Sequence, residues 1–372
     1  MKILHVAITK GWNAASQAAF LVMQEQLRRG DGVAAYVLRG SQLHQRLAAL
    51  PVAPRFHFQI RHQDPAAFFR LRGILRRDAV DVVHTHRSQA TLATVLAARS
   101  LGRAIPVIHM SRDRPTGWSA LARLRYGLMD RIVVPNRHVQ TLFSVAGGRG
   151  LPFVIVPFPV APFPAPAEPT AAPAARGAEP LRIGLLARYD PIKGHHFLLQ
   201  AAGRLLGKPG VPPFVLVFSG LRKNAYKSAI AAEAEALGLA PHIAWPPDGG
   251  PVLAVLNSLD IGVVCSIGSE EVSRIALEYM AAGVPVVATA VGGLPEMVGA
   301  GEGRLVPPRD ADALAATLRE LLVDPALRAR LGAGGRARVQ AEFDVRVVCE
   351  RLAAIYREAL AARGIRSDGH HR

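Results

Sequence analysis

Apolar positions along this chain fall into short runs, each followed by a stretch of helical period. The run from Lys2 to Ile8 reads as a buried first strand rather than a signal peptide, being short and lacking a small-residue cleavage site after it. A loop with Gly11 and Asn13 follows, then a helix over about Gln17 to Arg29, closed by Gly30, and a strand from Val33 to Leu38. That succession is a βαβ unit, whose first loop faces a ligand crevice; Gly11 there lets backbone approach a phosphate. No GxGxxG is present, so a dinucleotide fingerprint is not supported. Further strands are expected at Asp81–His86, Pro106–His109, Arg131–Pro135 and Val154–Val156, with a helix over 88–100 and another starting at Asn136.

The pattern lapses from Ala161 to Pro180, a Pro/Ala-rich stretch that reads as a semi-rigid linker. It resumes with strands at Leu181–Leu186, Phe214–Ser219, His242–Trp245 and 260–264, and helices at His195–Leu206, 225–237 and 251–257. Ser273 to Ala282 is helical and stops at Gly283, Pro285–Ala288 is a short buried strand, and Gly292-Gly293 opens a turn. Helices over 310–322, 325–341 and about Val345–Ala362 complete the chain, with a disordered tail expected after Gly364. Alternation of this kind predicts parallel sheets covered by helices on both faces. The expected organisation is an N-terminal domain over 1–160, a linker over 161–180, a C-terminal domain over 181–344, and a final segment, 345–372, whose helix crosses back to the first domain.

Charge divides the two halves. Residues 1–160 hold 22 Lys and Arg against 7 Asp and Glu, a net +15; residues 181–372 hold 22 against 19, a net +3; the linker supplies −1 to the total of +17. An arginine-rich composition accounts for the choice of residue and not for the asymmetry. A basic field on one half suits an anionic membrane face, a phosphorylated glycolipid or nucleic acid. Residues 55–80 mix arginine and phenylalanine (Arg55, Phe56, Phe69, Arg70, Arg72, Arg76), which fits a surface amphipathic stretch or a covered core face. No run of 18 apolar residues is present, so no spanning helix is expected. Two distant cysteines, Cys265 and Cys349, form neither a metal spacing nor a disulfide framework, which fits a reducing cytoplasm.

Chemistry concentrates in two stretches of the second half. Arg188 and Lys193 lie in a loop between a strand and a helix start, where cations and free backbone N–H groups together suit a pyrophosphate. Between Cys265 and Val298, Glu270 falls in a loop and Glu278 eight residues later inside a helix, a placement that suits gripping hydroxyls of one ligand. This second stretch, with Ala281-Ala282-Gly283, Pro285 and Gly292-Gly293, resembles the donor-binding signature of the family 4 glycosyltransferases, of GT-B architecture. Ala187-Arg188 through Lys193-Gly194 resembles that family's G-R-x-x-x-x-K-G motif with alanine for the first glycine. Two departures stand out. Glu271 and Ser273 replace two glycines, so either Glu270 or Glu271 fills the first acidic role, with spacing favouring Glu270. Arg112 falls where members often carry a histidine, so His109, His86 or Arg112 occupies the space beside the transferred sugar.

The resemblance implies two doubly wound α/β domains facing a cleft, and retaining, metal-independent transfer from a nucleotide-diphosphate sugar with no further cofactor. It implies that Glu270 faces the sugar, Glu278 the ribose, Arg188 and Lys193 the diphosphate, with Gly11, Gly292 and Gly293 lining the donor, Trp245 flanking the base, and His109 and Arg112 on the catalytic side. The expected acceptor is a saccharide or glycolipid of lipopolysaccharide or surface polysaccharide assembly. The expected place is the cytoplasm, peripheral on an anionic membrane face, with no nucleic-acid partner. Rival readings are an epimerase or hydrolase on the same fold, an inactive sugar-binding protein, and a nucleic-acid-binding protein, the last suggested by charge alone and leaving the glutamate pair unexplained.

Overall fold

The computed structural model describes residues 1–52, 54–57, 65–86, 90–111, 119–163, 179–220, 225–247, 252–268 and 270–364. The chain folds as two compact units, Met1–Ala161 with Phe343–Arg372, and Pro162–Glu342.

The first unit is built on seven parallel strands: β1 (Lys2–Ala7), β2 (Gly32–Leu38), β3 (Pro54–His57), β4 (Val82–Thr85), β5 (Val107–Met110), β6 (Arg131–Val134) and β7 (Phe153–Ile155). Their order is β3-β2-β1-β4-β5-β6-β7, so the winding reverses between β1 and β4. The crossovers are helices α1 (Ala14–Arg28), α2 (Gln42–Leu47), α3 (Pro65–Arg77), α4 (Thr91–Arg99), α5 (Ala120–Gly127) and α6 (Arg137–Phe143). Asn13 and Ser16 form a reciprocal capping box at the start of α1, which satisfies the end of the helix facing the crevice. Successive β1 side chains serve opposite cores: Leu4 and Val6 pack with residues of α3 to α6, while Ile3 packs with Leu21 and Val22 of α1.

The second unit has six parallel strands: β8 (Leu181–Leu186), β9 (Phe214–Ser219), β10 (Ile243–Ala244), β11 (Ile261–Val264), β12 (Val286–Thr289) and β13 (Gly303–Val306), in the order β10-β9-β8-β11-β12-β13. Its helices are α7 (His195–Leu205), α8 (Ala225–Ala236), α9 (Val252–Asn257), α10 (Arg274–Ala282), α11 (Leu294–Met297), α12 (Ala311–Val323) and α13 (Pro325–Arg338). The winding reverses between β8 and β11, and loops beyond the carboxyl ends of strands flanking such a reversal are where ligands bind in open α/β sheets.

Helix α14 (Val345–Ala361) belongs to the first unit. Val348, Cys349, Leu352, Ile355, Tyr356 and Ala359 recur at helical spacing and are buried with α1 and the β1, β4 and β5 strands. A backbone bridge secures its start: Val160 N–H donates to the Phe343 carbonyl at 2.8 Å and Val345 N–H to the Val160 carbonyl at 3.0 Å.

The strands and helices expected from the sequence are observed at their places, with one local correction, while α2, β3, α5, α11 and β13 were not expected. The Arg/Phe stretch over 55–80 is not one amphipathic element, because Pro54–His57 pairs with β2 as an edge strand and only Pro65–Arg77 is helical. Proline is tolerated at the first residue of an edge strand, so Pro54 did not forbid the pairing. Gly303–Val306, which carries no run of buried positions, is held as a strand by pairing with β12. Phe58, Arg61, Arg222, Lys223, Asp248, Gly249, Gly250 and the tail beyond Gly364 lie outside the described residues.

Candidate active site

The loop after β8 is pressed onto the loop after β11. A single 3-10 turn, Pro191–Lys193, leads to Gly194 in the left-handed region at φ +72°, and α7 starts at the next residue. A β-carbon on Gly194 would stand 1.9 Å from the Cys265 carbonyl oxygen, so no larger residue fits this approach. Ile267 N–H donates to the Ile192 carbonyl at 2.9 Å, and the Cys265 thiol to the Gly194 carbonyl at 3.1 Å. The first turn of α7 has no side-chain cap; Phe197 N–H donates to the Gly194 carbonyl at 2.9 Å, and the positive end of the helix dipole suits an anion. Arg188 is largely exposed, with its guanidinium 3.6 Å from Asp190.

Lys193 pairs with Glu270, 77 residues away in sequence. Glu270 is 6 % exposed, and the ammonium meets its Oε1. Ser266 Oγ donates to the same oxygen at 2.6 Å. The Glu270 backbone is held equally firmly. Gly293 N–H donates to its carbonyl at 2.7 Å, and Gly292, at φ +58°, lies so close that a β-carbon would be 2.3 Å from that oxygen. Of the two adjacent glutamates it is therefore Glu270 that meets Lys193, and the Gly292-Gly293 turn holds its main chain.

Glu278 lies on the second turn of α10. Arg274 Nε reaches its Oε1 at 3.1 Å, while its Oε2 is buried and takes no hydrogen bond among the described residues. Burial raises its pKa, and the Arg274 charge opposes that rise. Ser273 Oγ, at the N-cap of the same helix, is also buried without a partner among the described residues. Buried polar atoms are nearly always hydrogen-bonded in native proteins, so these two point to a polar ligand or ordered water at the start of α10. Tyr279 fixes the helix: its hydroxyl accepts from Leu186 N–H at 2.9 Å and donates to the Gly184 carbonyl at 3.0 Å.

Trp245 belongs to an aromatic group that the sequence did not reveal. Its ring lies 5.9 Å from Tyr189 and 5.5 Å from Phe218, and Lys227 Nζ stands 4.8 Å from its centroid. His195 is fully buried against Tyr189, Phe218 and Tyr226, and burial lowers its pKa to about 4. Tyr189 lies between Arg188 and Lys193 in the sequence, and that position was the one available signal.

In the first unit, Gly11 lies in the β1–α1 loop, where its carbonyl accepts from Thr9 Oγ1 at 2.8 Å and Ser16 Oγ at 3.1 Å. Open space surrounds the position its β-carbon would take. His109 is 1 % exposed at the end of β5, with Nδ1 2.7 Å from Thr85 Oγ1. Burial, reinforced by the Arg125 charge, lowers its pKa to about 3, so it is neutral near pH 7. Arg112 lies outside the described residues. His86 belongs to a buried stack with His5 and His84, register partners on β1 and β4. Gln26 orders this stack. Its Nε2 donates to the Tyr356 hydroxyl at 3.3 Å, which donates to His84 Nδ1 at 2.5 Å. Its Oε1 accepts from His5 Nε2 at 2.7 Å, leaving His5 Nδ1 to accept from His86 Nε2 at 2.8 Å. The three rings lie within 18° to 37° of one another. Lone pairs of near-parallel rings do not converge on one centre as metal coordination requires, so the cluster is a hydrogen-bonded stack.

Comparison with known proteins agrees with both units. Residues 172–338 match the family described as "Glycosyl transferases group 1", and residues 16–144 match "Glycosyltransferase Family 4". The chain is 30% identical over 304 residues to an MMP alpha-(1->4)-mannosyltransferase of Mycolicibacterium hassiacum, covering 77% of this chain and 72% of that protein. It is 28% identical over 310 residues to a GDP-mannose-dependent monoacylated alpha-(1-6)-phosphatidylinositol monomannoside mannosyltransferase of Corynebacterium glutamicum, covering 78% and 80%. The structure of Anabaena HepE in complex with UDP superposes with a TM-score of 0.80 over 96% of this chain and 100% of that one, at 19% identity, a likeness of fold. Two parallel-sheet units and relatedness along most of the chain place it among the family 4, group 1 glycosyltransferases, with the GT-B fold.

Proposed function

We propose that this protein transfers a hexosyl group, with retention of configuration, from a nucleotide-diphosphate sugar to a saccharide or lipid-linked acceptor of lipopolysaccharide or surface polysaccharide assembly. The observation that carries the reading is the Lys193–Glu270 pair beside the uncapped start of α7. In transfer the bond from the anomeric carbon to the diphosphate oxygen breaks. The acceptor oxygen bonds to that carbon, and the acceptor proton leaves on the departing phosphate. Lys193, Arg188 and the α7 N-terminus stabilise the charge that develops on the leaving group, the work a divalent metal does elsewhere, so no metal or further cofactor is proposed. Glu270 takes the sugar hydroxyls, Glu278 and the open Ser273 hydroxyl the ribose, Gly292 and Gly293 the adjoining main-chain approach, and Trp245 the base. In the first unit, Gly11 admits a phosphate-bearing group to its loop, and His109 with Arg112 serves the catalytic side. Two relatives are mannosyltransferases, so a mannosyl donor heads the panel.

The test is thermal stabilisation by UDP-, GDP- and ADP-sugars, followed by transfer with the stabilising donor and NMR of the anomeric proton of the product. A donor at 100 times its Kd stabilises the fold by about 2.7 kcal/mol. Indifference to every nucleotide sugar would overturn the reading, and inversion at the anomeric carbon would overturn the mechanism.

The same reading places the protein peripherally on the cytoplasmic face of an anionic membrane, and not on nucleic acid. Helix α3 carries Arg70, Arg72, Arg76 and Arg77 with Phe69 71% exposed, and Leu121 and Leu124 are exposed on α5. No helix among the described residues is long and apolar enough to cross a membrane. Co-sedimentation with anionic vesicles that fades with salt, and weakens when Arg70, Arg72, Arg76 and Arg77 become Ser, is the expected result. Equal indifference to anionic and neutral vesicles rejects the membrane, and single-stranded nucleic acid competing with donor rejects the exclusion.

A further inference from the structure

Glu270 is held through one oxygen only. Lys193 and Ser266 both meet Oε1, and Oε2 takes no hydrogen bond among the described residues. The two donors differ in how firmly they are themselves held. Lys193 is an ammonium on a flexible stem at a loop whose other assigned partner is a diphosphate. Ser266 is 1% exposed, two residues past the end of β11. Its carbonyl accepts from Thr289 Oγ1 at 2.6 Å, and the same hydroxyl lies 3.3 Å from the Val264 carbonyl. Thr289 is the last residue of β12 and is buried. Ser266 is thus tied to the ends of two paired strands.

When a diphosphate draws the Lys193 ammonium toward itself, Glu270 becomes a nearly buried carboxylate whose remaining side-chain donor is Ser266. Without that donor nothing fixes which way the carboxylate turns, and an unpartnered buried charge is costly. We infer that Ser266 is a positioning residue: it anchors Glu270 Oε1 so that Oε2 stays directed at the donor sugar while Lys193 is engaged with the diphosphate. The inference rests on the reading that Glu270 faces the sugar. It predicts a defect confined to the sugar, because the nucleoside diphosphate is bound by Lys193, Arg188 and Glu278 whether or not Glu270 is anchored.

The test uses Ser266→Ala, Ser266→Cys and Ser266→Thr in the full chain, with Glu270→Ala alongside. Calorimetry gives the Kd of the bare nucleoside diphosphate (the best stabiliser among UDP, GDP and ADP) and of its sugar conjugate, and steady-state kinetics gives kcat and KM. Ser266→Ala is expected to bind the bare nucleotide as wild type does, to lose the added affinity that the sugar confers, and to lower kcat by about tenfold to a hundredfold, the range for a hydrogen bond to a charged group. Ser266→Cys keeps the side-chain volume and replaces a strong donor by a weak one, so it shows the same defect if the alanine variant does not fold. Ser266→Thr keeps the hydroxyl and restores kcat. Wild-type kcat in both the Ala and Cys variants, or a parallel loss of bare-nucleotide binding, overturns the inference. Glu270→Ala at wild-type turnover overturns the underlying reading instead, whereas an inactive Glu270→Ala beside fully active Ser266 variants removes this inference alone.

Discussion

Each unit buries a polar network, and the two differ in charge and in place. In the first unit, His86, His5, Gln26, Tyr356 and His84 pass hydrogen bonds from one to the next, and each link has one donor and one acceptor. In the second unit, Lys193, Glu270, Ser266 and Thr289 form a comparable chain on the loops after β8 and β11, built around an ion pair, and Glu278 Oε2 and Ser273 Oγ of α10 take no partner among the described residues. A network without carboxylate or ammonium, set between strands and helices, specifies packing, here the seating of α14 against β1 and β4. A network built on an ammonium and a carboxylate at loop ends retains interaction energy that a charged or hydroxyl-bearing ligand can use. Burial alone does not separate the two cases, because both networks are largely inaccessible; the ion pair and its place on the loops do.

Acid should strain the first unit more. His5, His109 and His195 are buried neutral, with pKa values lowered to about 4, about 3 and about 4. A histidine whose folded pKa lies below its unfolded value contributes stability that is present above about pH 6.5 and is lost as pH falls toward the folded pKa. Each removes about 1.4 kcal/mol per pH unit near pH 5, and two of the three lie in the first unit. Urea titrations at pH 7, 6 and 5 read the slope, and a stability flat across that range contradicts the neutral assignment.

Next in size is Lys193→Ala. It removes a charge-assisted contact to the diphosphate, about 1.5–3 kcal/mol, or roughly tenfold to a hundredfold in donor affinity. It also leaves Ser266 as the sole side-chain donor to Glu270 among the described residues. Donor affinity equal to wild type by calorimetry would remove the site from this loop. Arg188→Ala should show a smaller loss by the same measurement, since the side chain is mostly exposed.

Tyr356→Phe probes the histidine network of the first unit. It takes the donor from His84 Nδ1 and the acceptor from Gln26, so unfolding should cost about 1–3 kcal/mol less, while donor affinity stays at the wild-type value. A variant as stable as wild type would show that the stack is not what seats α14.

The smallest effect is expected at Glu278. Burial raises its pKa, so the folded state holds the proton more tightly than the unfolded chain does, and stability from this group is present at low pH and lost as pH rises through the folded pKa. Glu278→Gln should therefore gain stability relative to wild type from pH 4 to pH 8 while binding nucleoside diphosphate more weakly. Unchanged nucleotide affinity would move the ribose contact elsewhere.

The alternation of apolar runs with amphipathic helices was sufficient to determine two parallel sheets, because the periods of strand and helix are local and each run needs a partner to bury it. The loops after β8 and β11 were legible as a charged site for a similar reason, since Arg188, Lys193, Glu270 and Glu278 stand beside strand ends and glycines that mark close turns. Which glutamate meets Lys193, that Ser266 and Thr289 stand behind it, that Tyr189, Phe218 and Trp245 share one aromatic group, and that Tyr356 completes a histidine stack begun at His5 were decided only in three dimensions. Those contacts join residues 77, 23, 56 and 272 positions apart. No pattern of local period carries such a pairing, because the distance between two strand ends is set by sheet order and register, not by the residues between them.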